Sequence, residues 1–192
     1  MSEEPLALFG RWFEEARERG AFEPQAMVLA TASPGAVPSA RMVLMKGFDG
    51  RGITFFTNYA SRKGVELDAN PEAALLFHWP ELGRQVRIEG SVSRVERAET
   101  EAYAHSRERA SQLSALASPQ SRPVPDRDWL ERRVEELDAE HAGAELPVSD
   151  DWGGYRVQPR AWEFWEHRSN RLHDRFRYER RDGSWRAERL GP

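Results

Sequence analysis

Cysteine is absent from the 192-residue chain. Without thiols the protein can form no disulfide bond, no thiolate metal site and no cysteine nucleophile. Long hydrophobic runs are missing too, because apolar stretches such as 42–45 and 73–77 are far shorter than the roughly 20 residues that span a bilayer. The acidic start of the chain lacks the apolar segment of a signal peptide. These absences predict a cytoplasmic protein without a membrane span.

The sequence fingerprints of several enzyme classes are also missing. The chain has no Gly-rich dinucleotide fingerprint, no Walker phosphate loop, no His-Glu-x-x-His and no Gly-x-Ser-x-Gly. Its five histidines are scattered, so we expect no metal site. A formal net charge of −4 argues against a protein that binds nucleic acid through its overall field. Any basic function must therefore be local.

Lysine is nearly absent, since only two of the 28 basic residues are lysines, Lys46 and Lys63. Arginine carries a planar fork of donors, whereas lysine is a compact and strongly hydrated point charge. A site that needs a small ammonium group would keep lysine in a chain that otherwise uses arginine. Lys46 and Lys63 are therefore candidate functional residues, with chance survival as the alternative.

The length and the 39% hydrophobic content fit one globular domain over residues 1–192. Apolar residues at three- and four-residue spacing predict a helix near the start, and turn signals separate short β-like runs. The remaining predicted helices cover 61–69, 98–117 and 127–142, and the predicted strands cover 26–32, 39–48, 53–58, 73–79, 85–95, 155–158, 161–167, 172–180 and 185–190. This order predicts an α+β fold, a mostly antiparallel sheet or barrel with helices packed on it.

A candidate anion site lies where the third predicted strand ends and a helix begins. Thr57 and Ser61 carry hydroxyls there, and Arg62 and Lys63 bring two positive charges into the first helical turn. Cations at this position oppose the helix dipole unless an anion is bound. Backbone amides, hydroxyls and cations together suit a phosphate group. A solvated charged turn is the alternative.

A second candidate is the strand predicted over 39–48. Arg41 and Lys46 are five positions apart, so their side chains point to opposite faces of a regular strand. They would therefore contact different groups, or different ends of one ligand. A strand with charged ends and an apolar middle is the alternative.

A third candidate is the segment 171–175. If this segment is extended, Arg171, His173 and Arg175 share one face. Two guanidiniums beside an imidazole repel one another unless an anionic ligand or carboxylates balance them. A solvated edge strand is the alternative.

A fourth candidate lies in the helix predicted over 98–117. Tyr103, Arg107 and Ser111 stand at i, i+4 and i+8, so a continuous helix places them on one stripe. Phenol, guanidinium and hydroxyl donors together form a suitable anion-binding set. An ordinary polar helix face is the alternative.

Several segments, in this order and at this spacing, resemble the pyridoxamine 5′-phosphate oxidase family. The resemblance covers residues 5–192 and implies an FMN-binding split β-barrel that forms a homodimer with FMN in the subunit interface. It rests on Ala26-Met27-Val28-Leu29-Ala30-Thr31, Arg41-Met42-Val43-Leu44-Met45-Lys46, Phe56-Thr57-Asn58, Ser61-Arg62-Lys63, Arg84-Gln85-Val86, His105-Ser106-Arg107, Trp152-Gly153-Gly154-Tyr155 and Asn170-Arg171-Leu172-His173-Asp174-Arg175.

The resemblance also implies roles for individual residues. The implied flavin-site residues are Arg41, Met42, Val43, Leu44, Met45, Lys46, Phe56, Thr57, Arg62, Lys63, Gln85, Gln120, Ser121, Trp165 and Arg175. The implied substrate-site residues are Lys46, Tyr103, Arg107, Ser111, Arg171 and His173, of which the Tyr103, Arg107 and Ser111 set would hold the substrate phosphate. Arg171 and His173 are the expected catalytic residues, acting by positioning and electrostatics rather than as an obligatory general base.

The implied reaction is FMN-dependent oxidation of pyridoxamine or pyridoxine 5′-phosphate to pyridoxal 5′-phosphate, with O2 as electron acceptor and H2O2 as by-product. The chain departs from the family at Phe56, where tyrosine is common, and at Glu166-His167, where Gln-Gly is common. It is also expected to start too late to supply the N-terminal arm with which many members cover the substrate. Two alternatives stay open. One is a split-barrel flavin oxidase of the phenazine-biosynthesis type, and the other is a non-catalytic flavin or pyridoxal phosphate carrier.

Overall fold

The computed structural model describes residues 3–192, which form helices and strands in an α+β arrangement. The helices are α1 (Pro5–Glu18), α2 (Arg62–Ala69), α3 (Arg97–Ser106), α4 (Arg109–Ala117) and α5 (Arg127–Glu140). The strands are β1 (Ala26–Ala32), β2 (Pro38–Leu44), β3 (Gly47–Asp49), β4 (Gly52–Asn58), β5 (Glu72–Trp79), β6 (Arg84–Arg94), β7 (Trp152–Glu166), β8 (Asp174–Arg181) and β9 (Ser184–Arg189). Among the described residues no helix is long and apolar enough to cross a membrane.

The strands form one antiparallel sheet that curls into a half-barrel. The order is β2-β1-β5-β6-β7-β4-β3, and β8 pairs with both β7 and β9. The long strand β7 organises this arrangement, because its first half pairs with β4 and its second half with β8 along the same edge. The predicted α+β split-barrel fold with flanking helices is confirmed.

Helix α1 closes the half-barrel and supplies part of its aromatic core. It starts with Pro5, whose fixed φ suits the first helical position. Phe9 and Trp12 follow at the spacing of one helix face, and both are buried. The Phe9 ring lies 5.0 Å from Phe77 and 5.5 Å from Trp162. Burial of such rings supplies much of the stabilisation of a core.

Two of the predicted elements are interrupted in the structure. The strand predicted over 39–48 is divided into β2 and β3, because the chain changes partners there: the Met45 amide donates to Gln25 and the Lys46 amide to Thr54. The helix predicted over 98–117 is divided into α3 and α4 at Arg107, whose backbone is extended.

The strand predicted over 172–180 begins later, at Asp174. Residues 169–171 form a short 3-10 turn, in which Asn170 and Arg171 have φ values of 57° and 61°. The prediction that Arg171, His173 and Arg175 alternate along one extended segment is therefore wrong. The turn predicted at Asp182-Gly183 is present, with both residues at positive φ as a tight hairpin requires.

Candidate functional site

A cavity of about 700 Å³ opens between β2, β4 and the helices α2, α3 and α4. Its wall combines apolar side chains from one strand with polar and cationic side chains from the others. Most of the expected site residues of this half of the molecule line it: Met42, Val43, Leu44, Lys46, Phe56, Thr57, Lys63, Tyr103, Arg107, Ser111 and Gln120. Asn58, Glu108, Ser114, Ala115, Ser118 and Trp152 complete the lining.

Lys63 is a buried cation without a carboxylate partner in the part of the chain that the structure describes. Its side chain reaches Gln120 Oε1 at 2.7 Å, Ser61 Oγ at 3.1 Å and Thr57 Oγ1 at 3.2 Å, all of which are neutral. Burial, with a smaller effect of the Arg41 guanidinium, lowers the pKa of Lys63 to about 8. A buried ammonium group that faces a cavity and lacks a counterion favours an anionic ligand.

Two arginines, Arg41 and Arg62, lie near Lys63. Both bind Glu66, with Arg41 Nη2 3.2 Å from Oε2 and Arg62 Nε 2.9 Å from Oε1. Glu66 is buried, and burial alone would raise its pKa, but hydrogen bonds from Ser39, Thr31, Arg62 and Arg41 lower it to about 2. Glu66 therefore pairs with two of the three cations and Lys63 has no carboxylate partner among the described residues, so the cluster keeps an excess of positive charge.

The start of α2 explains why these groups converge. Ser61 caps the helix, because its Oγ accepts a hydrogen bond from the Gly64 amide. Gln120 reaches the same place from the segment between α4 and α5, where it also accepts from Thr57 Oγ1 at 2.9 Å. Ser121 follows it with an exposed side chain and a φ of 70°. Met45, by contrast, is part of the main core.

Tyr103, Arg107 and Ser111 do not form the continuous helical stripe that the sequence predicts. Because α3 ends at Ser106 and α4 begins at Arg109, Tyr103 lies in α3, Ser111 lies in α4 and Arg107 lies in the extended step between them. They nevertheless line the same cavity. The three side chains are thus close together, as the sequence predicts, but two helices and the step between them bring them there rather than one continuous helix.

A stack of aromatic rings forms the cavity wall beside Arg107. The Phe56 and Tyr103 ring centroids lie 4.0 Å apart, and the Trp152 ring lies 5.5 Å from Phe56 and 6.2 Å from Tyr103. The Arg107 guanidinium lies 5.0 Å from the Trp152 ring centroid. It makes no ion pair within residues 3–192, so it is available to an anion in the cavity.

The other expected site residues form a second group on β6, β7 and β8. Gln85 is opposite Trp165 on β7, and Trp165 is opposite Arg175 on β8. Arg175 binds the buried carboxylate of Glu163 at 2.8 Å. The His173 ring lies 4.6 Å from the Trp165 ring.

His173 and Arg171 keep donors available for a ligand. The Arg168 amide donates to His173 Nδ1 at 3.2 Å, so neutral His173 carries its proton on Nε2. Arg171 is exposed and makes no hydrogen bond or ion pair through its side chain anywhere in the described chain. Its left-handed backbone is uncommon for a residue with a side chain, and such strain is frequent at ligand sites.

The two groups lie at opposite ends of β7. Thr57 of the cavity is opposite Gly153, whereas Trp165 of the second group stands twelve positions further along the strand. At about 3.3 Å per residue, a straight strand of that length spans on the order of 40 Å. No residue of the second group is among those that line the cavity of its own protomer.

The structure adds two residues to which the sequence assigned no role. Trp152 lines the cavity beside Arg107, and Glu66 holds Arg41 and Arg62. The signal for Glu66 was available, because it stands four positions after Arg62 on a short helix. Within residues 3–192 no group of three or more metal-ligating side chains is present.

The curled antiparallel sheet with its cationic cavity places the protein among the split β-barrel proteins. A structure of an FMN-binding protein from Nostoc punctiforme, related to pyridoxamine 5′-phosphate oxidase, has a TM-score of 0.77 at 18% identity and covers 100% of this chain and 99% of that one. PhzG from Burkholderia lata, in complex with tetrahydrophenazine-1-carboxylic acid, has a TM-score of 0.94 at 36% identity and covers 98% and 93%.

Residues 13–141 match the family model described as pyridoxamine 5′-phosphate oxidase, and residues 152–192 match the pyridoxine 5′-phosphate oxidase C-terminal dimerisation region. A pyridoxine/pyridoxamine 5′-phosphate oxidase from Rubrobacter xylanophilus is 54% identical over 98% of this chain and 87% of its own length. The enzyme of the same name from Cupriavidus pinatubonensis is 54% identical over 98% and 89%. The chain belongs to the pyridoxamine 5′-phosphate oxidase family.

Proposed function

We propose that this protein is an FMN-dependent oxidase that converts pyridoxamine or pyridoxine 5′-phosphate to pyridoxal 5′-phosphate, with O2 as electron acceptor and H2O2 as product. Family membership and relatives at 54% identity support this activity. The observation that carries it is a single cavity with two separate cationic positions, Lys63 and Arg107, neither of which has a carboxylate partner within residues 3–192. Two positions of this kind suit a cofactor phosphate and a substrate phosphate.

The residues around Lys63 fit the FMN phosphate. A buried ammonium without a counterion, the hydroxyls of Thr57 and Ser61 and the Arg41 and Arg62 guanidiniums supply the donors that a phosphate dianion needs. Backbone amides at the start of α2 add to this set. The apolar wall of Met42, Val43 and Leu44 suits the face of a planar ring system.

The second position fits the phosphate of the substrate. Tyr103, Arg107 and Ser111 bring a phenol, a guanidinium and a hydroxyl to one side of the cavity. Lys46 lines the same cavity where the chain crosses from β2 to β3, and its side chain makes no ion pair in the described part of the chain. The substrate phosphate would thus be held away from the FMN phosphate, with the substrate ring between the two phosphate positions.

The complete site would be built by two protomers of a homodimer. Four of the five residues of the second group, Trp165, Arg171, His173 and Arg175, lie in the segment that matches the dimerisation region. Since they are far from the cavity of their own protomer, we propose that they face the cavity of the other protomer. Each of the two equivalent interface sites would then combine a cavity from one chain with Arg171 and His173 from its partner.

When bound, FMN supplies the two-electron acceptor that O2 reoxidises. The chain itself supplies orientation and charge. Arg171 and His173 Nε2 would hold the substrate so that its exocyclic carbon stays against the acceptor, and Arg175 would add positive charge near the flavin. An amine substrate oxidised at this carbon gives an imine, which water hydrolyses to the aldehyde.

A phenazine-type oxidase is the second candidate, because PhzG shares the fold at a TM-score of 0.94. The unpaired Arg107 with Tyr103 and Ser111 favours a phosphorylated substrate instead. The higher identity to the pyridoxine/pyridoxamine 5′-phosphate oxidases, 54% against 36%, points the same way.

The proposal is tested by following aldehyde formation and O2 uptake with pyridoxamine 5′-phosphate, with and without added FMN. Unphosphorylated pyridoxamine is the matched control substrate. We expect turnover that depends on FMN and on the substrate phosphate. A protein that binds FMN but oxidises neither substrate in air would be a flavin carrier, and the proposed activity would be wrong.

A further inference from the structure

Arg107 is held in place by an aromatic ring rather than by a carboxylate. It stands at the break between α3 and α4, with φ −81° and ψ 153°, and Gln112 Nε2 donates to its carbonyl oxygen at 2.7 Å. Its guanidinium lies 5.0 Å from the Trp152 ring centroid, within the range of a cation–π contact. The ring therefore orients the guanidinium without neutralising it.

Trp152 is itself fixed by the strand on which it lies. The ring is nearly buried, at 9% exposure, and is stacked 5.5 Å from Phe56 and 6.2 Å from Tyr103. The following Gly154 is required for this stack, because a Cβ there would stand 2.8 Å from Phe56 Cε1. The Trp-Gly-Gly sequence thus builds a rigid aromatic support at the start of β7.

We propose that Trp152 is a positioning residue that sets the preference for phosphorylated ligands by holding Arg107 toward the cavity. This inference rests on the proposed function, in which Arg107 binds the substrate phosphate. Such a support has a clear use here, because Glu108, the next residue, lines the same cavity. A guanidinium released from the ring has this carboxylate as a competing partner, and pairing with it would cancel the charge that the phosphate needs.

The experiment measures the dissociation constants of pyridoxal 5′-phosphate and pyridoxal on the FMN-loaded enzyme by calorimetry. The dissociation constant of pyridoxal divided by that of pyridoxal 5′-phosphate reports phosphate recognition separately from ring binding. We expect Trp152→Leu to reduce this ratio about tenfold through weaker binding of the phosphorylated form, since cation–π contacts at desolvated sites reach this size. Trp152→Phe keeps a weaker ring, so we expect a two- to threefold reduction.

Trp12→Leu is the matched control. Trp12 is 7% exposed and has the Arg84 guanidinium 4.5 Å from its ring, but it belongs to α1, packs in the main core and does not line the cavity. This variant should lower the melting temperature and leave the ratio unchanged. In an Arg107→Ala background, Trp152→Leu should change the ratio no further, because the residue through which it acts is gone.

Four results would overturn the inference. Equal weakening of both ligands in Trp152→Leu would make Trp152 part of the ring-binding surface, and so would an undiminished effect in the Arg107→Ala background. An unchanged ratio in Trp152→Leu and Trp152→Phe, with wild-type discrimination intact, would remove any role in phosphate recognition. If the wild-type enzyme itself does not prefer the phosphorylated ligand, the proposed substrate is wrong, and the inference fails with it.

Discussion

Exchanging Lys63 for methionine should weaken FMN binding and leave riboflavin binding nearly unchanged. The two flavins differ only in the phosphate, and Lys63 is the buried cation proposed to contact it. Methionine keeps most of the length and volume of the side chain while it removes the charge. The ratio of the two dissociation constants therefore measures the phosphate contact alone.

The magnitude follows from the contacts of Lys63. Its ammonium binds neutral oxygens at 2.7–3.2 Å and has no carboxylate to share its charge with. A hydrogen bond to a charged group contributes roughly 1.5–3 kcal/mol, which corresponds to a ten- to hundredfold loss of FMN affinity.

The pH dependence provides a second measure of the same contact. In the free protein, burial lowers the pKa of Lys63 to about 8. Above this pH the lysine is neutral in the free protein, so binding a phosphate dianion requires uptake of a proton. The preference for FMN over riboflavin should therefore fall as the pH rises from about 8 to 10, and Lys63→Met should not show this decline.

The assay is titration of each flavin with apoprotein, followed by quenching of flavin fluorescence. Stability of the apoprotein is the control. Because the folded pKa of Lys63 lies below its unfolded value of 10.5, the fold disfavours the charged form, and Lys63→Met should be no less stable than wild type at pH 7. An equal loss of affinity for both flavins would refute a phosphate contact of Lys63.

Further predictions concern the substrate-phosphate residue Arg107, the residues that one protomer is proposed to contribute to the site of the other, and the Glu66 carboxylate. Arg107→Ala should raise the KM for the phosphorylated substrate while FMN stays bound, and a colourless protein would contradict this. Arg171→Ala and His173→Ala should stay yellow and lose at least about tenfold in kcat/KM, or about 1.4 kcal/mol, whereas Arg175→Ala should lose FMN affinity; flavin titration and steady-state kinetics separate these effects. Glu66→Gln should lower the free energy of unfolding at pH 7 by roughly 1–3 kcal/mol. This difference should shrink as the pH falls from about 4.5 to about 2, where wild-type Glu66 also loses its charge, and chemical denaturation at pH 7 and pH 3 measures it.

Elements that depend on local signals could be predicted from the sequence. Strand β1 has the predicted bounds of 26–32, and α5 begins at Arg127 as predicted, where the Asp126 side chain accepts a hydrogen bond from the Trp129 amide. In both cases turn residues or a capping side chain decide the boundary.

Breaks that depend on tertiary partners could not be predicted in this way. Nothing in the composition around Met45 and Lys46 ends a strand, and the break exists because these residues bind different neighbours, Gln25 and Thr54. The step at Arg107 lies in a helical pattern without glycine or proline, so periodicity alone joined α3 to α4.

The candidate site likewise contains residues that local sequence signals bring together and residues that only the tertiary fold brings together. Thr57, Ser61 and Lys63 are close in sequence and meet because a strand runs directly into a capped helix. Gln120 and Trp152 reach the cavity from distant segments, and only the resemblance to a family pointed to the first of them. The residues of the second group do not line the cavity of their own chain, and no local sequence pattern shows this.

A complementation experiment tests most directly the central claim that each active site combines two protomers. With pyridoxamine 5′-phosphate well below the wild-type KM, Arg107→Ala and His173→Ala homodimers are each expected to have only a small fraction of wild-type activity. After unfolding and refolding together, about half of the dimers are mixed, and a shared site leaves one of their two sites intact, so about a quarter of wild-type activity returns. If each site instead belonged to one protomer, every site in the mixed dimer would carry a lesion. Activity that stays at the level of the separate variants, in a sample shown to contain mixed dimers, would contradict the shared site.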